Sequence, residues 1–499
     1  MHRSNDHSVD RSKTAGADFL QLDAREAPVG GIADWLADRL RRAITDGRLP
    51  VGSRLPATRV LAADLKVSRG VVTDAYRRLT EEGRIAGRGR GGTVVVDPLT
   101  PPPAAPQPPP KLDGAPGSAS PFADAPVPAS FDTLRAVPAR IDLSPGLPDL
   151  AAFPRTAWLR AERAVVHDLD AQDFGYGDPR GTPALRRAVA DWLARNRGIR
   201  ADPDEVLIVA GAAQALALAG EVLRAEGVDT VAVEDPGSLG TRQHLGHRIA
   251  ATPPVPVDAE GVRVDALRAT GARAVLLTPA HQFPTGVVLG GARRRELLRW
   301  AADGGLVIED DYDAEHRYDR PPVPALRGVL PDQVLYLGSI SKLLAPALRI
   351  GWMLAPARHR ERLVDAKRLA DLGNAALPQL VLARLMDSGA LERQLRLLRP
   401  RHRRRRDAMI AAIGARLPGA VVHGEAAGLH LMLTFPDGLG CTDTELAAAA
   451  LAHGVKVQPL SWHARLPHPP GLVLGYAARA IGEIEDGITV LGRLLREAG

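Results

Sequence analysis

The chain has 499 residues, 45% apolar and 24% charged, enough for two or three domains and a sizeable core. Its 64 Lys and Arg against 58 Asp and Glu leave a formal +6, too mild to establish a nucleic-acid partner, although a local basic patch would still count. The single cysteine, Cys441, excludes an internal disulfide framework and a multi-cysteine metal site, and fits a reducing cytoplasm.

Residues 1–29 are polar and of mixed charge, expected to be a disordered tail, with no apolar core of the length a signal peptide needs. No window approaches about eighteen uninterrupted apolar residues, so no membrane span is expected and the cytoplasm is the expected location. In residues 30–97, Ile32, Trp35, Leu36, Leu40 and Ile44 recur at helical spacing before Gly47. The spacing predicts two further helices, one carrying Leu61 and Leu65, the next carrying Val72, Ala75 and Leu79 and ending at Gly83. The tight turn between them lets Ser68 cap the third helix and leaves Arg69 exposed in its first turn. Two helices joined so closely suggest a helix-turn-helix that reads the major groove of DNA. The stretch from Arg84 to Val96 reads as a hairpin whose glycine-rich tip offers Arg88 and Arg90 to phosphates or the minor groove. A helical protein-interaction module with a solvated charged face is the other reading of this pattern.

Residues 98–137 are dense in proline, with little that could be buried, and read as a semi-rigid linker between two independently folding bodies. Beyond it, in residues 138–499, apolar runs such as EVLIVAG, TVAVED, AVLLTPA, GLVIEDD and QVLYLGS alternate with helical patterns. That alternation predicts an α/β fold, a mainly parallel sheet covered on both faces, with ligands where strands end in loops.

The run LGSISKLLAPALRIGW sets Lys342 beside Ser339 and Ser341, with Arg349 seven positions on. A lysine amine can form a Schiff base, and pyridoxal phosphate is the cofactor whose aldehyde most often takes it. Its phosphate needs hydroxyls, backbone N–H groups and a guanidinium, and its pyridine nitrogen needs a carboxylate. Ser339, Ser341 and Arg349 fit the first requirement. Asp310, at the strand end in GLVIEDDYDAEHRY, fits the second, and Tyr312 can hydrogen-bond the ring hydroxyl. A helix expected to begin near Ala212 offers the N–H groups around Ala212, Ala213 and Gln214 as another phosphate anchor. His281 or Gln282 of TPAHQFPTG can stand beside the ring, and Tyr176 of FGYGDPRG comes from a loop. Taken singly, the lysine also reads as a surface residue on a loop, and the acids as a metal site or a solvated acidic loop. No histidine cluster accompanies them in ligand spacing, so no metal is expected.

The run LPATRVLAADLKVSRGVVTDAYRRLTEEGRI resembles the winged helix of GntR-type bacterial regulators. The resemblance implies that Arg54, Arg59 and Arg69 contact DNA and that Gly92 with Thr93 belongs to the wing. YGDPRG, AGAAQAL, EDPG, TPAHQFPTG, EDDYD and SISKLLAPALRIGW, in that order, resemble fold-type I aminotransferases, which have a large and a small subdomain. By that resemblance Lys342 is the Schiff-base lysine, Asp310 the pyridinium partner and Tyr312 the ring-hydroxyl contact. Ser339 and Arg349 are then phosphate ligands, and Tyr176 a phosphate contact lent by a second subunit. The two halves together are similar to the MocR-type regulators. This implies a cytoplasmic, head-to-tail homodimeric transcription regulator that binds a double-stranded DNA operator and pyridoxal phosphate. Its aminotransferase-like domain would sense that cofactor or an amino compound. The alternative is a working aminotransferase with an appended DNA-binding module.

Two further features stand out. Family aminotransferases carry a carboxylate-gripping arginine near the C-terminus, where this chain has Val473. The basic run RPRHRRRR, residues 399–406, is expected to form the exposed face of a long helix rather than a second nucleic-acid patch.

Overall fold

The computed structural model describes residues 20, 22–28, 31–87, 92–96, 121–122, 126–127, 129–318 and 323–498, and the chain separates into two compact units. In the first unit, α1 (Ile32–Thr45), α2 (Thr58–Asp64) and α3 (Arg69–Glu81) turn their apolar stripes inward. Leu36, Leu40, Leu61, Val72, Ala75 and Leu79 form the core, and Leu20, from the range read as a tail, joins them. Ser68 accepts the Val71 N–H and starts α3, after a turn in which Lys66 adopts φ +53°. Strands β1 (Arg54–Leu55), β2 (Ile85–Gly87) and β3 (Thr93–Val95) pair antiparallel in the order β1-β3-β2. The β2–β3 hairpin matches the expected wing. Strand β1 has no signature in the sequence, because two extended residues establish no period.

The second unit begins its strands with β4 (Ile141–Asp142). An eight-stranded sheet follows, made of β5 (Val206–Val209), β6 (Val231–Asp235), β7 (Pro254–Asp258), β8 (Gly261–Val262), β9 (Ala274–Leu277), β10 (Leu306–Asp311), β11 (Val334–Ser339) and β12 (Gly351–Leu354). Its order is β5-β12-β11-β10-β9-β6-β7-β8. The pairs are parallel except where β12 meets β5 and β11 and where β8 meets β7. Side chains alternate between two cores, as the pleat requires. Val206 and Ile208 pack with Leu185 and Trp192 of the helix Pro183–Arg197, whereas Leu207 and Val209 pack with Leu216 and Leu223 of the helix Ala212–Ala225. A smaller antiparallel sheet joins β13 (Val421–His423), β14 (His430–Thr434), β17 (Gly471–Gly475) and β16 (Gln458–Pro459), while β15 (Val455–Lys456) pairs with β4. These are the expected α/β architecture and its small subdomain. No helix of the described residues is long and apolar enough to cross a membrane.

Two segments differ from the sequence reading. Residues 130–136, inside the range read as linker, form a helix whose Phe131 ring lies 5.7 Å from Trp462 and 6.2 Å from His463. The basic run does lie on a long helix, Ala390–Arg416, but much of it faces inward. His402 and Arg405 are buried, Arg405 and Arg401 reach Asp149 at 2.8 and 3.1 Å, and the Arg406 guanidinium lies 4.9 Å from the Tyr318 ring centre. Only Arg399 and Arg403 of the run's arginines are well exposed: the buried Asp149 carboxylate draws in Arg401 and Arg405, while Arg406 bonds Asp407 and the Glu425 carbonyl.

Strand β10 is buried along its whole length and ends in three acids. Glu309 accepts the N–H groups of Leu326 and Arg327. Asp311 meets Arg197 at 2.5 Å and the Tyr336 hydroxyl at 2.6 Å, with both members of the ion pair 1% exposed or less. Replacing Arg197 by Met would strand the Asp311 charge in the core and is expected to lower stability by about 3–5 kcal/mol. Denaturant unfolding followed by tryptophan fluorescence checks this, and adding Asp311→Asn to the same variant should recover part of the loss.

Candidate functional site

The third acid, Asp310, takes a different course from its neighbours. It is 7% exposed and accepts no hydrogen bond from a described residue. Burial, reinforced by the Asp311 charge, pushes its pKa up to about 7, while Lys342 pulls the other way. Lys342 follows the end of β11, and its Nζ donates to the Gly146 carbonyl. Burial lowers its pKa below the usual lysine range, and the Asp313 and Asp310 charges oppose that shift. An amine so placed is more readily neutral, and thus more nucleophilic, than a surface lysine. Gly146, at φ +83°, permits the approach: a Cβ there would stand 2.9 Å from Nζ.

Tyr312 is held from behind. His281 Nδ1 lies 3.0 Å from the Tyr312 hydroxyl and 2.9 Å from Asp313, and the imidazole of His430 sits 5.3 Å away. His281 therefore supports Tyr312, and its Nε2 is buried with no hydrogen-bond partner among the described residues. His281, Asp313 and His430 form the only group of potential metal ligands among the described residues. No spacing in the sequence points to it, because the three are far apart in the chain and meet only when β14 closes on the sheet. Gln282 instead bonds the Pro236 carbonyl and Thr285, tying one turn to another. Phe283 packs 4.9 Å from His430, 5.1 Å from His463 and 6.2 Å from Tyr312, and clusters with Met432, Leu460 and Val473.

Beyond Lys342 the polar groups converge again. Ser339 donates to Ser341 at 2.8 Å and accepts the Ser341 N–H. Arg349 adopts φ +50° and donates to the Ala210 carbonyl. The helix of Ala212 and Ala213 starts at Gly211, which has no side chain to cap it; a Cβ there would meet the Arg349 guanidinium at 3.3 Å. An uncapped helix N-terminus beside a guanidinium and two hydroxyls suits a phosphate dianion. Gln214 turns aside, its carbonyl accepting the Ala210 N–H and its amide donating to Asp371. Tyr176 is 95% exposed and stands apart from this group.

In the first unit Arg54, Arg59, Ser68 and Arg69 are exposed, Arg54 beside Gly92 at the wing and Arg69 bonded weakly to Thr58. Arg88 and Arg90 lie outside the described residues.

These two constellations match known families. The model for bacterial regulatory proteins of the gntR family covers residues 32–95, and that for aminotransferase class I and II covers residues 139–466. The probable rhizopine catabolism regulatory protein MocR of Rhizobium meliloti is 32% identical, over 91% of this chain and 92% of its own. The pyridoxine biosynthesis transcriptional regulator PdxR of Corynebacterium glutamicum is 31% identical, over 92% of this chain and 96% of its own. The chain belongs to the MocR-type regulators of the GntR family. The aminotransferase half of this MocR-type regulator is similar in structure to LysN, an α-aminoadipate aminotransferase from Thermus thermophilus. That likeness has a TM-score of 0.67 at 28% identity, over 74% of this chain and 94% of that one.

Asp310 gives this site a pH signature of its own. With its pKa raised from 3.8 to about 7, the folded regulator keeps a proton that the unfolded chain releases, so this group's contribution to stability falls as pH rises through that window. Asp310→Asn, which cannot ionise, should therefore raise the thermal midpoint of the cofactor-free protein at about pH 8 and change it little at about pH 4. Calorimetry at both pH values checks this.

Proposed function

We propose that this regulator binds pyridoxal phosphate covalently through Lys342 and uses the loaded domain to sense that cofactor or an amino compound, setting how its winged helices engage DNA. The observation that carries the reading is the juxtaposition of a burial-depressed amine, a buried carboxylate with no hydrogen-bond partner among the described residues, and an uncapped helix N-terminus flanked by Arg349. The donor set suits the cofactor at each of its ends. Asp310 would hold a proton on the pyridine nitrogen, Tyr312, braced by His281, would meet the ring hydroxyl, and Ser339, Ser341, Arg349 and the first turn at Ala212 and Ala213 would bind the phosphate. Once bound, the cofactor supplies an aldehyde that reacts with amines. LysN in the related structure carries N-(5'-phosphopyridoxyl)-L-leucine, and a similar kynurenine aminotransferase carries pyridoxamine phosphate. Both support the assignment.

The regulatory reading is favoured over turnover because Val473, fully buried in β17 opposite Met432 and Gln458, offers no cation to a substrate carboxylate. Two of the relatives are named as regulators of different processes, rhizopine catabolism and pyridoxine biosynthesis. A head-to-tail homodimer in the cytoplasm completes the proposal. In it, the exposed Tyr176 of each copy would reach its partner's phosphate site. Two DNA-binding heads need a fixed half-site spacing, so an effector that shifts the domains changes operator affinity.

Two experiments test this. Wild-type protein incubated with pyridoxal phosphate is expected to gain the visible absorbance of a lysine-held cofactor, and Lys342→Ala to remain colourless; colourless wild type defeats the reading. On the DNA side, Arg69→Ala should weaken binding to the regulator's own promoter by about 1–3 kcal/mol and relax its selectivity. Footprinting measures this, and an unchanged footprint would remove Arg69 from the contact set.

A further inference from the structure

Behind the candidate phosphate cradle lies a buried cation that the cofactor reading does not use. Lys367, on the helix Ala357–Asp371, is 0% exposed. An ammonium has three N–H donors and no acceptor. Here it meets three acceptors: Gln214 Oε1 at 2.9 Å, Asp371 Oδ2 at 2.7 Å and Asn374 Oδ1 at 2.6 Å. Burial lowers the lysine pKa, against the pull of Asp371, and the lysine in turn holds the Asp371 carboxyl below its ordinary value.

Two of the three acceptors lead to opposite walls of the cradle. Gln214 Oε1 also accepts the Ala210 N–H at 2.7 Å, fixing the turn before the uncapped helix, and its amide nitrogen reaches Asp371 at 2.7 Å. Asn374 donates to the Arg349 carbonyl at 3.0 Å, on the residue whose φ of +50° is uncommon for a side chain larger than glycine. Arg349 closes the loop by donating to the Ala210 carbonyl. One buried nitrogen thus joins the backbone turn to the arginine backbone, and its three donors are matched by these three acceptors.

We propose that Lys367 is a positioning residue for the cofactor's phosphate: its ammonium locks the Ala210 turn to Arg349 through Gln214 and Asn374, and so presets the anion cradle. The proposal rests on the reading that the cofactor is held by Lys342. A lysine that served folding alone would support every ligand equally, whereas a brace for the cradle acts only on ligands that carry a phosphate.

The test titrates pyridoxal phosphate, and pyridoxal, which lacks the phosphate, into full-length wild type, Lys367→Met and Asn374→Ala, following the visible absorbance of the lysine-held ligand. Lys367→Met is expected to weaken pyridoxal phosphate about tenfold or more while leaving pyridoxal within about twofold. Asn374→Ala should move the same ratio in the same direction by less. Equal weakening of both ligands, or unchanged pyridoxal phosphate, overturns the proposal. Should Lys367→Met fail to fold, Asn374→Ala decides by the same ratio. Wild type that takes up neither ligand defeats the cofactor reading itself, and wild type that binds both equally defeats the cradle, so each failure has its own signature.

Discussion

The site depends on an opposition of charge in a place with little water. Asp310 and Lys342 come from the ends of adjacent parallel strands, β10 and β11, and each is shifted toward its neutral form by burial while the other draws it back. Coulomb attraction strengthens as local dielectric falls, and so does the penalty for leaving either charge unpaired. The sheet sets this pair by register alone, since Asp310 stands opposite Leu337, two residues before Ser339. Everything else around the site answers the demands that the pair creates: Gly146 leaves room for the amine, and Tyr312 and Asp313 stand where the strand opens out.

The three consecutive acids of β10 illustrate how one strand serves two ends. Pleating sends Glu309 and Asp311 to one side and Asp310 to the other. Glu309 is satisfied by backbone N–H groups and Asp311 by Arg197 and Tyr336, so both are structural. Asp310, left without such partners, is the one available for chemistry. The sequence marks Asp310 as the candidate, and the fold supplies the partners that occupy its two neighbours.

Much of the architecture was legible because it is local. The α1–α3 stripes, the Ser68 cap, the wing hairpin and the apolar strands of the large sheet all follow from period and turn chemistry. Lys342, Asp310, Tyr312 and the two serines sit at strand ends that the sequence marks. What it could not convey is which way a side chain turns once helices pack. Gln214 lies at the expected helix start, yet its amide serves Lys367 and Asp371. Arg401 and Arg405 read as part of a solvated face until Asp149, some 250 residues earlier, is folded against them. The His281, Asp313 and His430 group has the same origin, since no spacing rule links a βα loop to a strand of the other subdomain. Nothing in the sequence singles out Lys367, whose burial arises only when its helix packs.

The short helix Ser130–Ala136 alters where the connecting segment takes its hold. Its Phe131 ring touches His463, His463 touches Phe283, and Phe283 touches Tyr312, each pair of ring centres within 6.2 Å. Phe131 thus ends a run of ring contacts that begins at Tyr312, so this short helix is seated against a wall of the candidate site itself.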